Sequence, residues 1–546
     1  MRFPYPAYLL ALAFYVWFAP LPATNLLRAA PPTLTYLFPA GAQRGKTVEV
    51  IATGTFERWP VRAWVDRKGV EIKAAKDKGK LIVNVAADAV PGLCWIRLYD
   101  EQGGSVLRPF FIGTLPEIME KEPNDEPKKP QVLSGLPGVV NGRLEKAGDV
   151  DSFAFHLRKG ETLIASLEAN RTLGSPMDAI LQVLSADGFV LEENNDDHGL
   201  DPQIVFTAPK DGTYLVRTFA FPAQPDSGIR FAGGPAYLYR LTLTTGGFAD
   251  YAFPLAVARG DKSMMEIIGW NIPAAAKKQS VKSNDASTIT LWHPQLANTL
   301  EVPVERHRSI IETEPNDRKS PQSIALPVTI SGRIDPPGDL DVYEFRAKKG
   351  QRLSFRADAG SVGSQLDPLL RLSDAAGKRL AEANDATSRK AGARDATLTF
   401  AIPQDGVYRL EVRDQNAHGS ARHFYRLQAP GVEPDYALTV AADQFTLTST
   451  KPLTIPVTID RRNGFNRAID ITIEGLPAGV TAAAVQSTGA AGKSVMLRLE
   501  TKNGPASAAI RIIGRVAGQA DFTRTATAPR IKLPASTPYL WLTVTK

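Results

Sequence analysis

Two six-residue strings, Glu120-Lys-Glu122-Pro123-Asn124-Asp125 and Glu312-Thr-Glu314-Pro315-Asn316-Asp317, open two stretches that match along their length. Gly148-Asp149-Val-Asp151 leads into Phe153 and Phe155, and Gly338-Asp339-Leu-Asp341 leads into Tyr343 and Phe345. Asp178 and Asp367 each open an apolar run, and Asn195-Asp196 and Asn384-Asp385 lie 17 residues beyond them. Phe206 and Tyr214 are then 8 residues apart, as are Phe400 and Tyr408. The material ahead of each copy repeats more faintly. Phe38-Pro39, Arg44-Gly45 and Val48-Glu49-Val50 answer Phe253-Pro254, Arg259-Gly260 and Met265-Glu266-Ile267. A chain built of repeats folds each copy alike. The order is therefore A-B-A-B, followed by a fifth segment, with bounds at 31–115, 116–246, 247–311, 312–430 and 431–546.

Within every segment apolar residues alternate with period 2, the mark of half-buried strands. Leu81/Val83/Val85, Leu163/Ala165/Leu167, Leu353/Phe355/Ala357 and Val495/Leu497/Leu499 are examples. Turns of the Pro-Asp-Gly type separate the runs, because proline presets φ and glycine supplies positive φ. No amphipathic helical period extends beyond a turn or two, so the expected fold is all-β, with β-sandwich modules in tandem. The 43% hydrophobic and 22% charged composition excludes disordered, collagen-like and coiled-coil classes. The net charge of +7 is spread thinly. Lys73 to Lys80 is the densest basic stretch and reads as a solvated hairpin, so nucleic-acid binding is not expected. The single cysteine, Cys94, excludes an intrachain disulfide and reads as a small buried hydrophobe.

Arg2 precedes a mostly apolar run from Tyr8 to Phe18 and then Ala19-Pro20-Leu21-Pro22-Ala23. Residues 1–23 read as a signal peptide cut after Ala23, with an uncleaved anchor as the alternative. No later stretch is apolar enough to span a membrane. The expected location is secreted, periplasmic or at the cell surface, where calcium is available to weak extracellular modules.

Glu120, Glu122, Asn124 and Asp125 place three carboxylates and an amide within six residues. Packing them beside Asp149 and Asp151 concentrates like charge, which raises carboxyl pKa values and costs stability. A hard divalent cation relieves that repulsion. Calcium takes six to eight oxygen ligands in flexible geometry, whereas magnesium demands a tighter octahedron. A second reading stays open from the residues alone: the strings are solvated turns, with Asp149 and Asp339 capping hairpins. Asp196, Asp385, Asp211 and Asp405 read as turn residues.

The B segments, 116–246 and 312–430, resemble the bacterial pre-peptidase C-terminal domain. That family is a jelly-roll-like β-sandwich often appended to secreted proteases, and it includes collagen-binding domains of clostridial collagenases. The resemblance rests on E-x-E-P-N-D, G-D-x-D, the N-D turn and D-G-x-Y in both copies. It implies calcium held by Glu120, Glu122, Asn124, Asp125, Asp149 and Asp151 in the first copy. In the second copy it implies Glu312, Glu314, Asn316, Asp317, Asp339 and Asp341. The A segments, 31–115 and 247–311, resemble immunoglobulin-like IPT/TIG modules, and 431–546 is similar to Ig-like accessory modules of secreted bacterial proteins.

A catalyst needs a nucleophile, a base and a stabiliser within mutual reach. The six histidines form no HExxH, and no G-x-S-x-G elbow, P-loop or Rossmann glycine pattern is present. His156 reads as a half-exposed strand residue, His418 and His423 as members of a polar loop whose alternative reading is contact with a metal, and Glu192-Glu193 as a surface hairpin. Trp59, Trp64, Trp95, Trp270, Trp292 and Trp541 are expected mostly in module cores. The expected protein is a secreted, non-catalytic, calcium-stabilised binder of an extracellular protein or polysaccharide at the cell surface or envelope. The alternative is a peptidase-associated or hydrolytic extracellular protein with an unrecognised site.

Overall fold

The computed structural model describes residues 29–224, 230–283, 287–384, 394–429, 434–489, 492–529 and 536–546. The signal segment and Asp385 lie outside the described residues. The fold is all-β, as the alternation predicts: in the strand Lys80–Val85, Leu81, Val83 and Val85 are buried while Ile82 faces solvent. The sheets fall into five successive sets, called here modules 1 to 5.

Modules 2 and 4 are the same sandwich of two five-stranded sheets. In module 2 one sheet runs Gln131–Val132, Asp151–Leu157, Gly212–Pro222, Met177–Ser185 and Val190–Asn194. In module 4 the matching sheet runs Gln322–Ser323, Leu340–Ala347, Gly406–Asp414, Pro368–Asp374 and Arg379–Ala383. Among the described residues a single short helical turn interrupts each copy at the same place, Asn170–Leu173 in one and Gly360–Val362 in the other. Each turn is held by a carboxylate from across the module. Asp201 accepts from Asn170 N at 2.7 Å, and Asp395 accepts from Ala359 N at 2.9 Å.

Modules 1 and 3 also share a plan. Both contain a parallel pair, Gly41–Gln43 with Arg108–Gly113 in one and Val257–Ala258 with Leu300–Glu305 in the other. Module 1 has two four-stranded sheets and module 3 two three-stranded ones; among the described residues of module 3, Arg62–Val65 and Val70–Ala74 have no counterparts. Lys73 to Lys80 lies where Val70–Ala74 turns back into Lys80–Val85. Cys94 is fully buried in the module 1 core, and burial pushes its thiol up to about 12. Module 5 packs a four-stranded sheet against a six-stranded one.

Module 3 is too small to bury much on its own. Met265, Ile267 and Val302 centre its core. Tyr251, Phe253 and Leu255 turn outward into a second cluster with Phe424 of module 4. Small folds bury a smaller share of their surface and gain from such support. Arginines stacked on aromatic rings recur at the seams between modules. Arg143 lies over Phe38 and Arg333 over Phe253, so the A–B seam is built the same way in both halves. Arg44 covers Trp292, Arg422 covers Trp270 and Arg306 covers Phe522. Such contacts strengthen as they are shielded from water.

The tryptophans therefore depart from the expectation of core packing. Trp59 does pack on the module 1 core and donates to Ala75 O at 2.7 Å. Trp64 and Trp541, with Tyr539, instead form the seam between modules 1 and 5. Trp270 and Trp292 lie beneath arginines from neighbouring modules. A large ring at the end of a strand closes a seam as well as it fills a core, and alternation does not separate the two cases.

Candidate functional site

The first acidic string is positioned by two strands. Glu117–Met119 runs parallel to Gly138–Arg143, so the chain leaves that edge with Glu120 beside Arg143. Glu120 N donates to Asn141 O at 3.0 Å, and Arg143 N donates to Glu120 Oε2 at 2.9 Å. The Pro-Asn-Asp turn is then tied to the next strand, because Ser152 N donates to Asn124 O at 3.2 Å. That strand, Asp151–Leu157, begins with Asp151 pointing into the same space.

Five carboxylates meet there. Oxygens of Glu120, Glu122 and Asp151 lie within 4.8 Å of one another, as do those of Glu122, Asp125 and Asp149. Asn124 joins them, donating through Nδ2 to Glu120 Oε1 at 3.3 Å and through its backbone N–H to Glu122 Oε2 at 3.0 Å. Asn124, Asp149 and Asp151 are fully buried. All six residues of the first set are thus brought together. Four of their inward oxygens have no hydrogen-bond partner: Asn124 Oδ1, Asp125 Oδ1, Asp149 Oδ1 and Asp151 Oδ1. Buried polar atoms are ordinarily satisfied, so four unpartnered oxygens gathered in one pocket set it apart from an ordinary turn.

The second string repeats the frame but gathers fewer groups. Arg333 N donates to Glu312 Oε1 at 2.8 Å, and Val342 N donates to Asn316 O at 2.6 Å. Glu312, Glu314 and Asp341 lie within 4.8 Å of one another. With its Nδ2 turned inward, Asn316 donates to Asp341 Oδ1 at 2.9 Å and Glu314 Oε2 at 3.3 Å. Asp317 and Asp339 do not join this group within 4.8 Å, although their charges still act on Glu314. Asp317 Oδ1 accepts from Lys319 N and Ser320 N, while Asp339 accepts from Asp335 N and Leu340 N. Both carboxylates accept from local turns, as Asp149 also does from Glu145 N, and it is proximity that leaves four of the six expected members gathered in the second centre.

Burial raises the carboxyl pKa values in both pockets. Glu120 and Glu312 are each pushed up to about 7. Asp341 rises to about 9, first from burial and then from the Glu312 charge. Asp151 lies well above the usual carboxylate range for the same two reasons, with Glu120 as the neighbour. Oxygens crowded out of water in this way favour either a proton or a cation.

Two tyrosines complete the pockets, and sequence reasoning missed both. Tyr239 OH donates to Asp151 Oδ2 at 2.6 Å, and Tyr425 OH donates to Asp341 Oδ2. In the second copy Tyr343 OH lies 2.5 Å from Tyr425 OH, extending the chain of hydroxyls. The signal was present as Tyr239-Arg240-Leu241 and Tyr425-Arg426-Leu427 in matching strands. Gly142 and Gly332 face these tyrosines across the sheet, and a Cβ at either would fall on the ring and hydroxyl. Gly142→Ala should therefore displace Tyr239 and destabilise module 2 by about 2 kcal/mol, within the usual cost of overpacking. Denaturant unfolding checks this; a variant as stable as the parent would show that the tyrosine moves aside freely.

The turn residues Asp211 and Asp405 brace neighbouring loops, accepting from Lys159 N at 2.6 Å and Lys349 N at 2.7 Å. Elsewhere Asp414, His418 and His423 come within 4.8 Å of one another. Burial lowers the His423 imidazole below its usual range, which favours the neutral ring. A cleft of about 1200 Å³ lies between modules, lined in part by Arg171, Arg356 and Arg426. Each of these guanidiniums is already paired, with Glu168 or Asp358. Arg240 in the lining is likewise paired with Glu117, while Arg394 donates to Gln365 O at 3.2 Å. Among the described residues no helix is long and apolar enough to cross a membrane.

The family comparison bears on modules 2 and 4. Residues 149–220 and 339–414 match the family profile of the bacterial pre-peptidase C-terminal domain. A probable subtilase-type serine protease of Deinococcus radiodurans is 28% identical over 248 residues, covering 44% of this chain. The match spans about a quarter, 26%, of that relative's length. Among solved structures, the pre-peptidase C-terminal domain of a Bacillus anthracis collagenase is 15% identical with a TM-score of 0.17. It covers 22% of this chain and 100% of that one. The D0-D1 domain of intimin is 12% identical with a TM-score of 0.15, covering 37% of this chain and 97% of that one.

Proposed function

We propose that this chain, which carries two bacterial pre-peptidase C-terminal domains, is an exported, non-catalytic multi-module protein whose acidic pockets bind calcium. The carrying observation is the set of four unpartnered, inward-facing oxygens at Asn124, Asp125, Asp149 and Asp151. The donor set is wholly oxygen, from carboxylates and an amide, which suits a hard cation with flexible coordination. In the first pocket Glu120, Glu122, Asn124, Asp125, Asp149 and Asp151 would hold the ion. In the second, Glu312, Glu314, Asp341 and the Asn316 carbonyl, with the amide turned over, would hold it more weakly. The ion supplies charge neutralisation. The chain's own part is to keep the oxygens converged, with Tyr239 and Tyr425 orienting Asp151 and Asp341.

A protein so stabilised works outside the cytoplasm, where calcium is plentiful. The partial likeness to a subtilase-type protease favours work alongside extracellular proteolysis, and a surface protein or polysaccharide is the partner class. The decisive experiment is thermal unfolding of the full chain in chelator and at rising calcium. The midpoint should climb as RT ln(1 + [L]/Kd) predicts for a ligand of the native state. A midpoint indifferent to calcium would remove the metal from the reading. Asp125→Ala should lose stability only when calcium is present. Asp317→Ala should lose about 1 kcal/mol in chelator as well, because its carboxylate caps a turn whether or not metal is bound. Equal behaviour of the two variants would remove the distinction drawn between the pockets.

A further inference from the structure

We propose that Asp414, His418 and His423 form a binding site for a first-row transition-metal ion of the zinc class, separate from the acidic pockets. One carboxylate oxygen and two ring nitrogens within 4.8 Å of one another are a nitrogen–oxygen donor set of the kind zinc accepts. Hard calcium, which takes oxygen ligands, is not served by imidazoles.

The loop is built to bring these groups together. Asp414 is 2% exposed, and its Oδ1 accepts from Asn416 N at 2.8 Å and His418 N at 3.0 Å, curling the chain back over the carboxylate. Ala417 takes a left-handed φ of 59° to make that curl. A side chain bearing a Cβ rarely adopts this conformation, and such strain gathers at functional sites. The result places His418 Nδ1 3.9 Å from Asp414 Oδ1. His423 is 9% exposed, and its Nδ1 lies 2.8 Å from Ser420 Oγ. In the tautomer whose Nδ1–H donates to the serine, Nε2 is left with its lone pair for an ion. A hydrogen-bond acceptor behind the ring commonly fixes a ligating imidazole in this way. His418 is exposed and supplies a third ligand that closes on an ion held by the other two.

Among the described residues the site belongs to module 4. Asp414 pairs with Pro368 across the sheet, and the matching pair in module 2 is Ala220 with Ala179. Alanine at position 220 has no ligand atom to offer. The loop's other residues join modules. Arg422 reaches Asp250 of module 3 at 2.9 Å and Asp197 of module 2 at 3.3 Å, and Tyr251 OH donates to Ala421 O at 2.6 Å. An ion clamping His418 and His423 to Asp414 would hold this junction in place from within module 4.

The test is zinc binding to the full chain with calcium in excess, so that oxygen-only sites are occupied, read by competition with a chromophoric chelator. Cobalt(II) serves as the spectroscopic probe. One saturable zinc per chain is expected, with ligand-field bands of low coordination number for cobalt. His418→Ala, at an exposed position and without effect on the metal-free melting midpoint, should abolish that stoichiometric site. Ser420→Ala should weaken it by about tenfold, as loss of a hydrogen-bond partner behind a metal ligand does. Zinc should also slow hydrogen exchange across residues 415–423. Absence of saturable zinc binding, or binding unchanged in His418→Ala, would overturn the proposal.

Discussion

In the presence of a chelator, the chain should become less stable as the pH rises from about 4.5 to about 9, and calcium should remove that loss. The carboxyls in the acidic pockets have folded-state pKa values above their ordinary ones: about 7 for Glu120 and Glu312 against 4.5, and about 9 for Asp341 against 3.8. A group whose pKa is raised on folding binds its proton more tightly in the native state. Its stabilising contribution is complete below the unfolded pKa and is lost as the pH climbs through the folded one. The window therefore opens near pH 4 to 5 and closes near pH 9. Tenfold tighter proton binding in the native state corresponds to about 1.4 kcal/mol, before screening and coupling between neighbours are discounted. The expected net loss is on the order of 2–3 kcal/mol per pocket, a fall of roughly 10 °C in midpoint for domains of this size. Calcium competes with the same protons, so its binding strengthens with pH. Melting curves with and without calcium should coincide near pH 4 and separate steadily above pH 6. A chelator profile that is flat, or that rises with pH, would mean the carboxylates ionise without cost. The pockets would then be solvated turns.

The architecture is legible in the sequence because alternation is a local signal. Leu81, Val83 and Val85 announce an inward face whatever the sheet's partners are, and a duplicated string announces a duplicated sandwich. The acidic strings are legible for the same reason, being short and contiguous. What the residues do not carry is how many groups converge once the turns have formed. Asp125 and Asp317 occupy the same place in the repeat, yet Asp317 is taken by Lys319 N and Ser320 N while Asp125 Oδ1 has no partner. A choice between backbone and pocket is settled by the geometry of one turn. Tyr239 and Asp151 are 88 residues apart in sequence and meet only through the sheet. The seam aromatics are hidden for a related reason: burial between modules and burial within one leave the same trace in sequence. The His418 and His423 loop reads first as a plain loop and only second as a metal contact, because its third member, Asp414, lies in the preceding strand.

Asp443→Ala should open the seam between the first and last modules while leaving both folded. Arg97 is 1% exposed, and its guanidinium donates to Asp443 Oδ2 at 2.6 Å and Ser105 O at 2.5 Å beside the Trp541 ring. Burial alone pulls the Arg97 pKa down, and the Asp443 charge works against that. Removing one member of a buried pair strands the other charge, at about 3–5 kcal/mol. Inside a module core that cost would appear as unfolding. At a seam a cheaper route exists, because parting the modules returns Arg97 to water. The loss is then limited to the seam's own contacts, and seams within a chain are modest and more polar than cores. The variant should keep its far-UV dichroism and gain in radius of gyration by small-angle scattering. Trp541, buried at 2% exposure, should shift its fluorescence to the red. The double variant Arg97→Met with Asp443→Leu should restore the compact form, since an apolar pair of similar volume commonly replaces a buried ion pair without loss. Unchanged scattering and fluorescence in Asp443→Ala would mean that Trp64, Tyr539 and Trp541 hold the seam without the ion pair. Arg97 would then have to find its compensation in Ser105 O and the Trp541 ring alone.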